Sequence, residues 1–246
     1  MLAEERYQVI LSKLKQNGFV KIADICAETR CSKSSARRDL QVLEQEGLLE
    51  RVHGGAQVKQ PLQSEMAMAD KSNKNHDYKV EIARKAAGLI NDNDVIFLDA
   101  GSTTLELAKM LKRRENITVV TNSVLHAAIL SDQGIRTIVL GGILKNNTRA
   151  ITCANTVMEL QHYNFNKVFL GINSIHPRYG LTTPDPDEAA VKREALHQGE
   201  KCYVLADSSK FDQLSFVKVA DCQAATIITA GLPDEIAAKF KKQSFI

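Results

Sequence analysis

Residues Cys31–Ala56, "CSKSSARRDLQVLEQEGLLERVHGGA", carry the clearest structural pattern in the first part of the chain. Within it, Ala36, Leu40 and Leu43 follow the spacing i, i+4, i+7, which places them on one face of a helix. Ser32 stands just before this helix and is a suitable N-cap. The pattern therefore predicts a helix whose apolar face is buried and whose other side chains point outward.

The outward side chains are of the kinds that contact phosphates and base edges in the major groove of DNA. They are Lys33, Ser34, Ser35, Arg37, Arg38 and Gln41. No acidic residue occurs between Arg30 and Arg38, so this part of the chain predicts a local basic patch. A solvated helix face is the alternative interpretation of such a run of charge.

Helical spacing also occurs at residues 4–16 and 21–29, and "LLERVHGG" after the third helix reads as a short β-ribbon. Three helices and a ribbon in residues 1–56 predict a winged helix-turn-helix domain. Arg51 and His53 lie on the ribbon, where a wing contacts the DNA backbone or minor groove. Asp39, a carboxylate among cations, is expected to pair with an arginine.

The pattern changes after the ribbon. Residues 57–75 lose periodicity and become polar, which predicts a linker. In residues 76–246, apolar strands such as "VIFLDA" and "KVFLGIN" alternate with helical segments. This alternation predicts an α/β domain with a mainly parallel sheet.

The composition excludes several classes of protein. The chain has 246 residues, of which 44% are hydrophobic and 25% charged, and its net charge is only +3. This composition is that of an ordinary globular protein. No apolar run is long enough for a membrane span, and the start "MLAEERYQVI" has no signal-peptide pattern. Five scattered cysteines without a CxxC pair predict a cytoplasmic location and no disulfide framework. Cysteines and histidines do not cluster at metal-binding spacing, so no metal site is expected, and no cofactor is expected either.

The turn "FLDAGSTTLELAKML" is the most informative part of the second domain. A buried strand ends at Asp99, and Gly101, Ser102, Thr103 and Thr104 open a helix. Helix N-termini attract anions through free N–H groups and the positive end of the dipole, and the hydroxyl groups add donors. The turn predicts a phosphate cradle; an ordinary capped strand-to-helix turn is the alternative.

Polar groups also follow the other predicted strands, and ligands of open α/β sheets lie outside the carboxyl ends of strands. Asn122, the pair Gly141 and Gly142, and Lys192 are further candidates for this site, and the loop "LADSSKF" carries Asp207 and Lys210. Lys192 could neutralise an anionic ligand. It could equally pair with Glu188, four residues earlier on the same predicted helix.

Several motifs of the chain, taken together, resemble those of a known protein family. Arg37-Arg38-Asp39-Leu40 and the wing Arg51-Val52-His53-Gly54-Gly55 resemble the N-terminal signature of the DeoR family of bacterial transcription regulators. "DAGSTT", "TNS", "LGG", "GLTTPDPDEAAVK" and "LADSSKF" follow in the order of that family's sugar-phosphate-sensing domain, so the resemblance covers almost the whole chain. It looks closest to the fructose-operon repressor branch. Where the family usually has Thr and then Val or Ile, this chain has Ser35 and Ala36, and Cys153 stands where a glycine is frequent.

The resemblance implies a repressor that a phosphorylated sugar releases from operator DNA, with fructose 1-phosphate as the first candidate. The small DNA-binding head predicts a homodimer or homotetramer whose symmetry matches that of the operator. The sensing domain is also similar to the ribose-5-phosphate isomerase fold. A phosphosugar isomerase-like enzyme, a repressor that responds to a different phosphosugar, and a regulator without a small ligand are the alternatives.

Overall fold

The computed structural model describes residues 1–52, 54–57, 62–111, 116–240 and 243–246. The chain divides into two compact units, Met1–Pro61 and Leu62–Ile246. The second unit thus begins inside the segment 57–75 that the sequence assigned to a linker. Residues 68–73 of that segment form a helix, which the loss of periodicity did not predict.

The first unit contains three helices and a small sheet. In chain order its elements are α1 (Ala3–Asn17), β1 (Phe19–Lys21), α2 (Ile22–Thr29), α3 (Lys33–Gln45), β2 (Glu50–Val52) and β3 (Gly55–Gln57). The described strands pair antiparallel in the order β1-β3-β2. This is the predicted winged helix-turn-helix architecture.

Helix α3 packs as its sequence indicates. Ala36, Leu40 and Leu43 are at most 1% exposed and belong to the core of the unit. The Ser32 hydroxyl caps the helix by accepting a hydrogen bond of 3.1 Å from the Ser35 N–H. The predicted buried face of α3 and the predicted N-cap at Ser32 are therefore both confirmed.

A glycine is required where the wing meets the first strand. Gly55 opens the central strand β3, and a Cβ atom there would lie 2.0 Å from the backbone oxygen of Val20. No side chain fits into that space, because real Cβ atoms essentially never approach another heavy atom so closely. The close packing of β3 against Val20 therefore explains why a glycine occupies the second glycine position of the wing signature.

The second unit alternates strands and helices. Its helices are α4 (Met68–Asn73), α5 (His76–Ala87), α6 (Ser102–Met110), α7 (Val124–Asp132), α8 (Ala154–Leu160), α9 (Pro186–Gln198) and α10 (Asp234–Ala237). Its strands are β4 (Val95–Leu98), β5 (Thr118–Thr121), β6 (Arg136–Val139), β7 (Ile143–Leu144), β8 (Ile151–Thr152), β9 (Phe165–Gly171), β10 (Ser174–His176), β11 (Gly180–Thr183), β12 (Gly199–Leu205), β13 (Val217–Ala220) and β14 (Thr226–Ile228).

Six of the described strands form one parallel sheet in the order β14-β12-β9-β4-β5-β6. Neighbouring residues of one strand enter different cores: Phe97 lies in one apolar cluster, whereas Ile96 and Leu98 lie in the other. Helices α8 and α9 contribute to the first cluster, and α5, α6 and α7 to the second. The sheet is thus covered on both faces, as the near-continuous apolar strands predicted.

Two smaller sheets complete the unit. Strands β10, β11 and β13 form an antiparallel sheet, and β7 pairs with β8 in a hairpin. All five cysteines are free. In the described part of the chain, no helix is long and apolar enough to cross a membrane.

Candidate functional site

A small open pocket lies at the carboxyl ends of β4, β9 and β12, beside the N-terminus of α6, and has a cavity volume of about 50 Å³. Four of the predicted effector residues line it: Gly101, Ser102, Thr103 and Lys192. Glu188 and Lys210, which the sequence marked only as polar groups after predicted strands, also line it. The other lining residues had no signal in the sequence. They are Met68, Lys71, Ala100, Thr148, Gly171, Ile172, Asn173 and Leu205.

A buried ion pair lies beside the pocket, with Lys192 in the pocket lining and Asp99 outside it. The Lys192 ammonium lies 2.5 Å from Asp99 Oδ2, which also accepts a hydrogen bond of 3.0 Å from the Gly171 N–H. Burial alone would lower the pKa of Lys192, but the carboxylates of Asp99 and Glu188 raise it, so the ammonium stays charged. Much of that charge is neutralised within the protein before any ligand arrives.

Glu188 has other hydrogen-bond partners. Its Oε1 atom accepts from Lys145 Nζ at 3.1 Å and from the Thr148 hydroxyl at 2.8 Å. Lys145 also lies 2.7 Å from Asp185, which caps α9. The alternative pairing of Glu188 with Lys192 along the helix is therefore not the arrangement found, although the two charges remain close enough to interact.

Thr104 faces into the protein instead of the pocket. Its hydroxyl lies 2.7 Å from the Asp99 backbone oxygen and 3.2 Å from His126 Nε2, and the residue has no exposed surface. His126 also contacts the Ser123 hydroxyl, and burial lowers the pKa of its imidazole to about 3. A neutral histidine thus supports the turn before α6, and no sequence pattern predicts this role.

Asn122 also holds the turn between β4 and α6 through hydrogen bonds to the backbone. Its side-chain oxygen accepts a hydrogen bond of 2.9 Å from the Ala100 N–H, and its amide nitrogen donates to the Ile151 backbone oxygen at 3.3 Å. It is only 1% exposed and does not line the pocket. Asn122 therefore fixes the backbone between Asp99 and α6.

Gly141 and Gly142 pack against α8 and lie outside the pocket lining. A Cβ atom on Gly142 would lie 2.2 Å from Thr156 Oγ1, and its φ of +148° disfavours other residues. Cys153, which the departure from the family pattern singled out, contacts the same Thr156 hydroxyl at 3.5 Å. It does not line the pocket either. These three residues shape the hairpin region and have no direct contact with the pocket space.

Lysines form the remaining charged wall. Lys71 and Lys210 line the pocket, and buried Lys79 adds positive charge nearby while its ammonium donates to the Lys74 backbone oxygen at 2.6 Å. Burial lowers the pKa of Lys210 to about 8. The Asp207 carboxylate near Lys210 already accepts hydrogen bonds from Asn75 and Ser209. The pocket therefore combines a helix N-terminus, hydroxyl groups and cations, which suits an anion.

The first unit presents the predicted basic face. Lys33, Ser34, Arg37, Arg38 and Gln41 are exposed on α3, and Ser35 is half-buried with its hydroxyl against that of Ser32. Arg51 is exposed on β2, 3.8 Å from Glu44. His53 lies outside the described residues.

Asp39 pairs with an arginine, as expected. Its two carboxylate oxygens accept hydrogen bonds of 2.7 and 2.8 Å from the Arg6 guanidinium, and Asp39 is 4% exposed. Arg6 belongs to α1, so the pair ties the first helix to the third. This contact fixes the orientation of α3 beneath its exposed arginines.

A winged helix-turn-helix unit with a basic third helix, joined to an α/β unit with a polar pocket, defines the class of two-domain DNA-binding regulators. Residues 6–61 match the family described as the DeoR-like helix-turn-helix domain, and residues 74–231 match the DeoR C terminal sensor domain. The chain belongs to the DeoR family of transcriptional regulators.

Relatives agree with this assignment along nearly the whole chain. The chain is 44% identical to the "Uncharacterized HTH-type transcriptional regulator FruR" of Bacillus subtilis, covering 93% of this chain and 91% of that protein. It is 36% identical to the lactose phosphotransferase system repressor of Lactococcus lactis, covering 87% and 85%. Among solved structures, ribose 5-phosphate isomerase A from Methanocaldococcus jannaschii matches with a TM-score of 0.43 and 19% identity, over 56% of this chain and 55% of that one.

Proposed function

We propose that the chain represses a sugar-utilisation operon in the cytoplasm and is released from its operator by a phosphorylated sugar. The observation that carries the proposal is the pocket at the start of α6, where backbone N–H groups, two hydroxyls and lysines converge. The names of the two relatives, a lactose phosphotransferase system repressor and FruR, support a sugar-linked role. The name FruR hints at fructose, so fructose 1-phosphate remains the first candidate.

On this proposal, the phosphate lies against the N-terminus of α6. The first N–H groups of a helix have no acceptor within the helix, so Ser102 and Thr103 offer backbone and hydroxyl donors together. Lys71 and Lys210 add charge, while Lys192 contributes less because Asp99 already neutralises it. Asp99, Thr104, Asn122, Gly141 and Gly142 act indirectly, by holding the backbone around the site.

In the first unit, α3 enters the major groove of the operator. Lys33, Ser34, Ser35, Arg37, Arg38 and Gln41 meet bases and phosphates there, and Arg51 and His53 hold the register from the wing. One head of this size reads a short site, so we propose a homo-oligomer, at least a dimer, with no cofactor. Bound sugar lowers the operator affinity by roughly 5–150-fold, the usual range of allosteric coupling.

The test is binding of the full-length protein to DNA upstream of its own operon, followed by fluorescence anisotropy and titrated with fructose 1-phosphate and a panel of other sugar phosphates. Release by fructose 1-phosphate alone is the expected result. Release by another phosphosugar would keep the mechanism and replace the effector. Absence of DNA binding at low salt, together with turnover of a phosphosugar, would favour the isomerase-like enzyme instead.

The depressed pKa of Lys210 predicts how ligand affinity depends on pH. A phosphomonoester carries its second charge above a pKa of about 6, and Lys210 loses its proton above about 8. Fructose 1-phosphate should therefore bind best between these values and weaken above pH 8 by up to about tenfold per pH unit. Isothermal titration calorimetry at pH 7, 8 and 9 measures the trend.

The matched variants are Lys210→Met and, as a control, Lys201→Met, which removes an exposed lysine of β12. Lys210→Met should bind more weakly at pH 7 and lose the decline between pH 7 and 9, whereas Lys201→Met should keep it. An unchanged decline in Lys210→Met would show that another group titrates.

A further inference from the structure

The second unit begins with a segment that runs across its surface into the pocket. We call residues 62–75, which include α4, the strap. The Leu62 backbone oxygen accepts a hydrogen bond of 3.0 Å from the Phe216 N–H, and the Met68 N–H donates to the Asn147 backbone oxygen at 2.8 Å. Met68 is 6% exposed. The strap is therefore fixed to the second unit by backbone contacts and by an apolar anchor.

Two side chains of the strap line the pocket. Met68 and Lys71 face the same space as Gly101, Ser102 and Thr103 at the start of α6. Any molecule that fills this pocket therefore meets the strap on one side and the helix N-terminus on the other. The polar composition of this segment predicted only a linker, whereas the segment both follows the first unit in the chain and forms part of the pocket wall.

One carboxylate holds the strap in place. Glu65, whose side chain is 7% exposed, lies 3.0 Å from Lys71 Nζ and 3.6 Å from Lys145 Nζ, and accepts from the Asn173 amide at 3.4 Å. Asn173 itself lines the pocket. An anion in the pocket would compete with Glu65 for Lys71, because both are negative and close to the same ammonium.

We propose that the strap is the element that converts ligand occupancy into a change of DNA affinity. The phosphorylated ligand draws Lys71 away from Glu65, and the loss of this contact changes how residues 62–75 are held on the second unit. The chain reaches the strap directly from the DNA-binding unit, which ends at Pro61. A shift of the strap therefore also moves the point at which the DNA-binding unit is joined to the second unit. This inference rests on the proposed function, since it needs an anionic effector in the pocket.

The direct test is hydrogen exchange on the full-length protein, followed by mass spectrometry, with and without fructose 1-phosphate, and with inorganic phosphate as a second probe. Peptides that cover the start of α6 report occupancy, and peptides that cover residues 62–75 report the strap. We expect slower exchange at Ser102–Thr104 and, in the same samples, a change of at least about threefold in the exchange rate around Met68.

Two variants give the functional readout. Lys71→Met removes the group for which ligand and Glu65 compete. It also breaks the contact with Glu65, so without ligand it should bind the operator more weakly than the parent protein. Saturating ligand should then lower its operator affinity by less than about twofold further, against roughly 5–150-fold in the parent protein. Glu65→Gln removes the negative charge that holds Lys71, so this variant should bind the ligand more tightly, exchange faster around Met68 without ligand, and bind the operator more weakly. Lys218→Met removes an exposed lysine that pairs with Asp221 at 2.6 Å and should behave as the parent protein. Thermal unfolding confirms that each variant is folded.

The outcomes separate this inference from the function on which it rests. If the ligand protects α6 and weakens operator binding while the strap exchanges unchanged and Lys71→Met keeps its full response, the strap is not the switch and the proposed function stands. If neither probe protects α6 nor changes operator affinity, the proposed function fails, and the inference fails with it. A changed strap together with a lost response in Lys71→Met supports both.

Discussion

Replacing Arg37 and Arg38 together by alanine is expected to weaken operator binding by at least about 30-fold while sugar-phosphate binding persists. Each well-placed arginine contact to a base is worth about 1–3 kcal/mol, so two of them account for such a loss. Both side chains are exposed on α3, where the buried face is made by Ala36, Leu40 and Leu43. Their removal should therefore change the stability of the unit by no more than about 0.5 kcal/mol.

The control removes the same charge from another helix of the same unit. Lys13→Ala with Lys15→Ala takes two positive charges from the end of α1, and we expect less than about a tenfold loss in operator affinity. Affinity measured against salt concentration completes the test, because the loss of phosphate contacts lowers the slope by roughly one for each contact. Retained operator affinity in the arginine variant would show that α3 is not the recognition helix.

The success of the sequence prediction for the first unit has a physical reason. The apolar spacing of Ala36, Leu40 and Leu43 is local, and burial of one face of a helix fixes the direction of the others. The pairing of Asp39 with an arginine could also be expected, but its identity could not. Arg6 lies 33 residues away and meets Asp39 only because α1 packs against α3.

The site in the second unit could be predicted only in part, because some of its residues are brought together by contacts between distant parts of the chain. Ser102 and Thr103 follow a strand and open a helix, so local pattern suffices to place them at the pocket. Lys71 and Glu65 lie in a polar stretch without periodicity, and Glu65 contacts Lys71, Asn173 and Lys145 only in the folded unit. Pairs between residues that are far apart in the sequence produce no local sequence pattern from which they could be predicted.

The pair of Asp99 and Lys192 spans 93 residues and supplies the second large effect. Lys192→Met leaves the Asp99 carboxylate buried without its cation. Breaking a buried pair in this way costs about 3–5 kcal/mol. For a unit of this size, that corresponds to a fall in Tm on the order of 10 °C. Thermal unfolding followed by circular dichroism measures it.

The double variant Asp99→Asn with Lys192→Met separates the unpaired charge from the lost side chain. Asparagine keeps an acceptor for the Gly171 N–H and carries no charge, so the double variant should regain most of the lost stability. The pH dependence follows. In Lys192→Met alone, burial raises the pKa of Asp99 in the folded protein above its unfolded value, so the penalty is small near pH 4 and grows as the pH rises. The two variants should therefore converge in stability as the pH is lowered from 8 towards 4.

Ligand binding by the double variant decides what Lys192 contributes to the pocket. Because Asp99 already neutralises much of the Lys192 charge, the double variant should lose less affinity for fructose 1-phosphate than Lys210→Met does, and calorimetry at pH 7 compares them directly. A larger loss in the double variant would mean that Lys192 leaves Asp99 and binds the phosphate itself. A difference in stability of less than about 1 kcal/mol between Lys192→Met and the parent protein would contradict the buried ion pair.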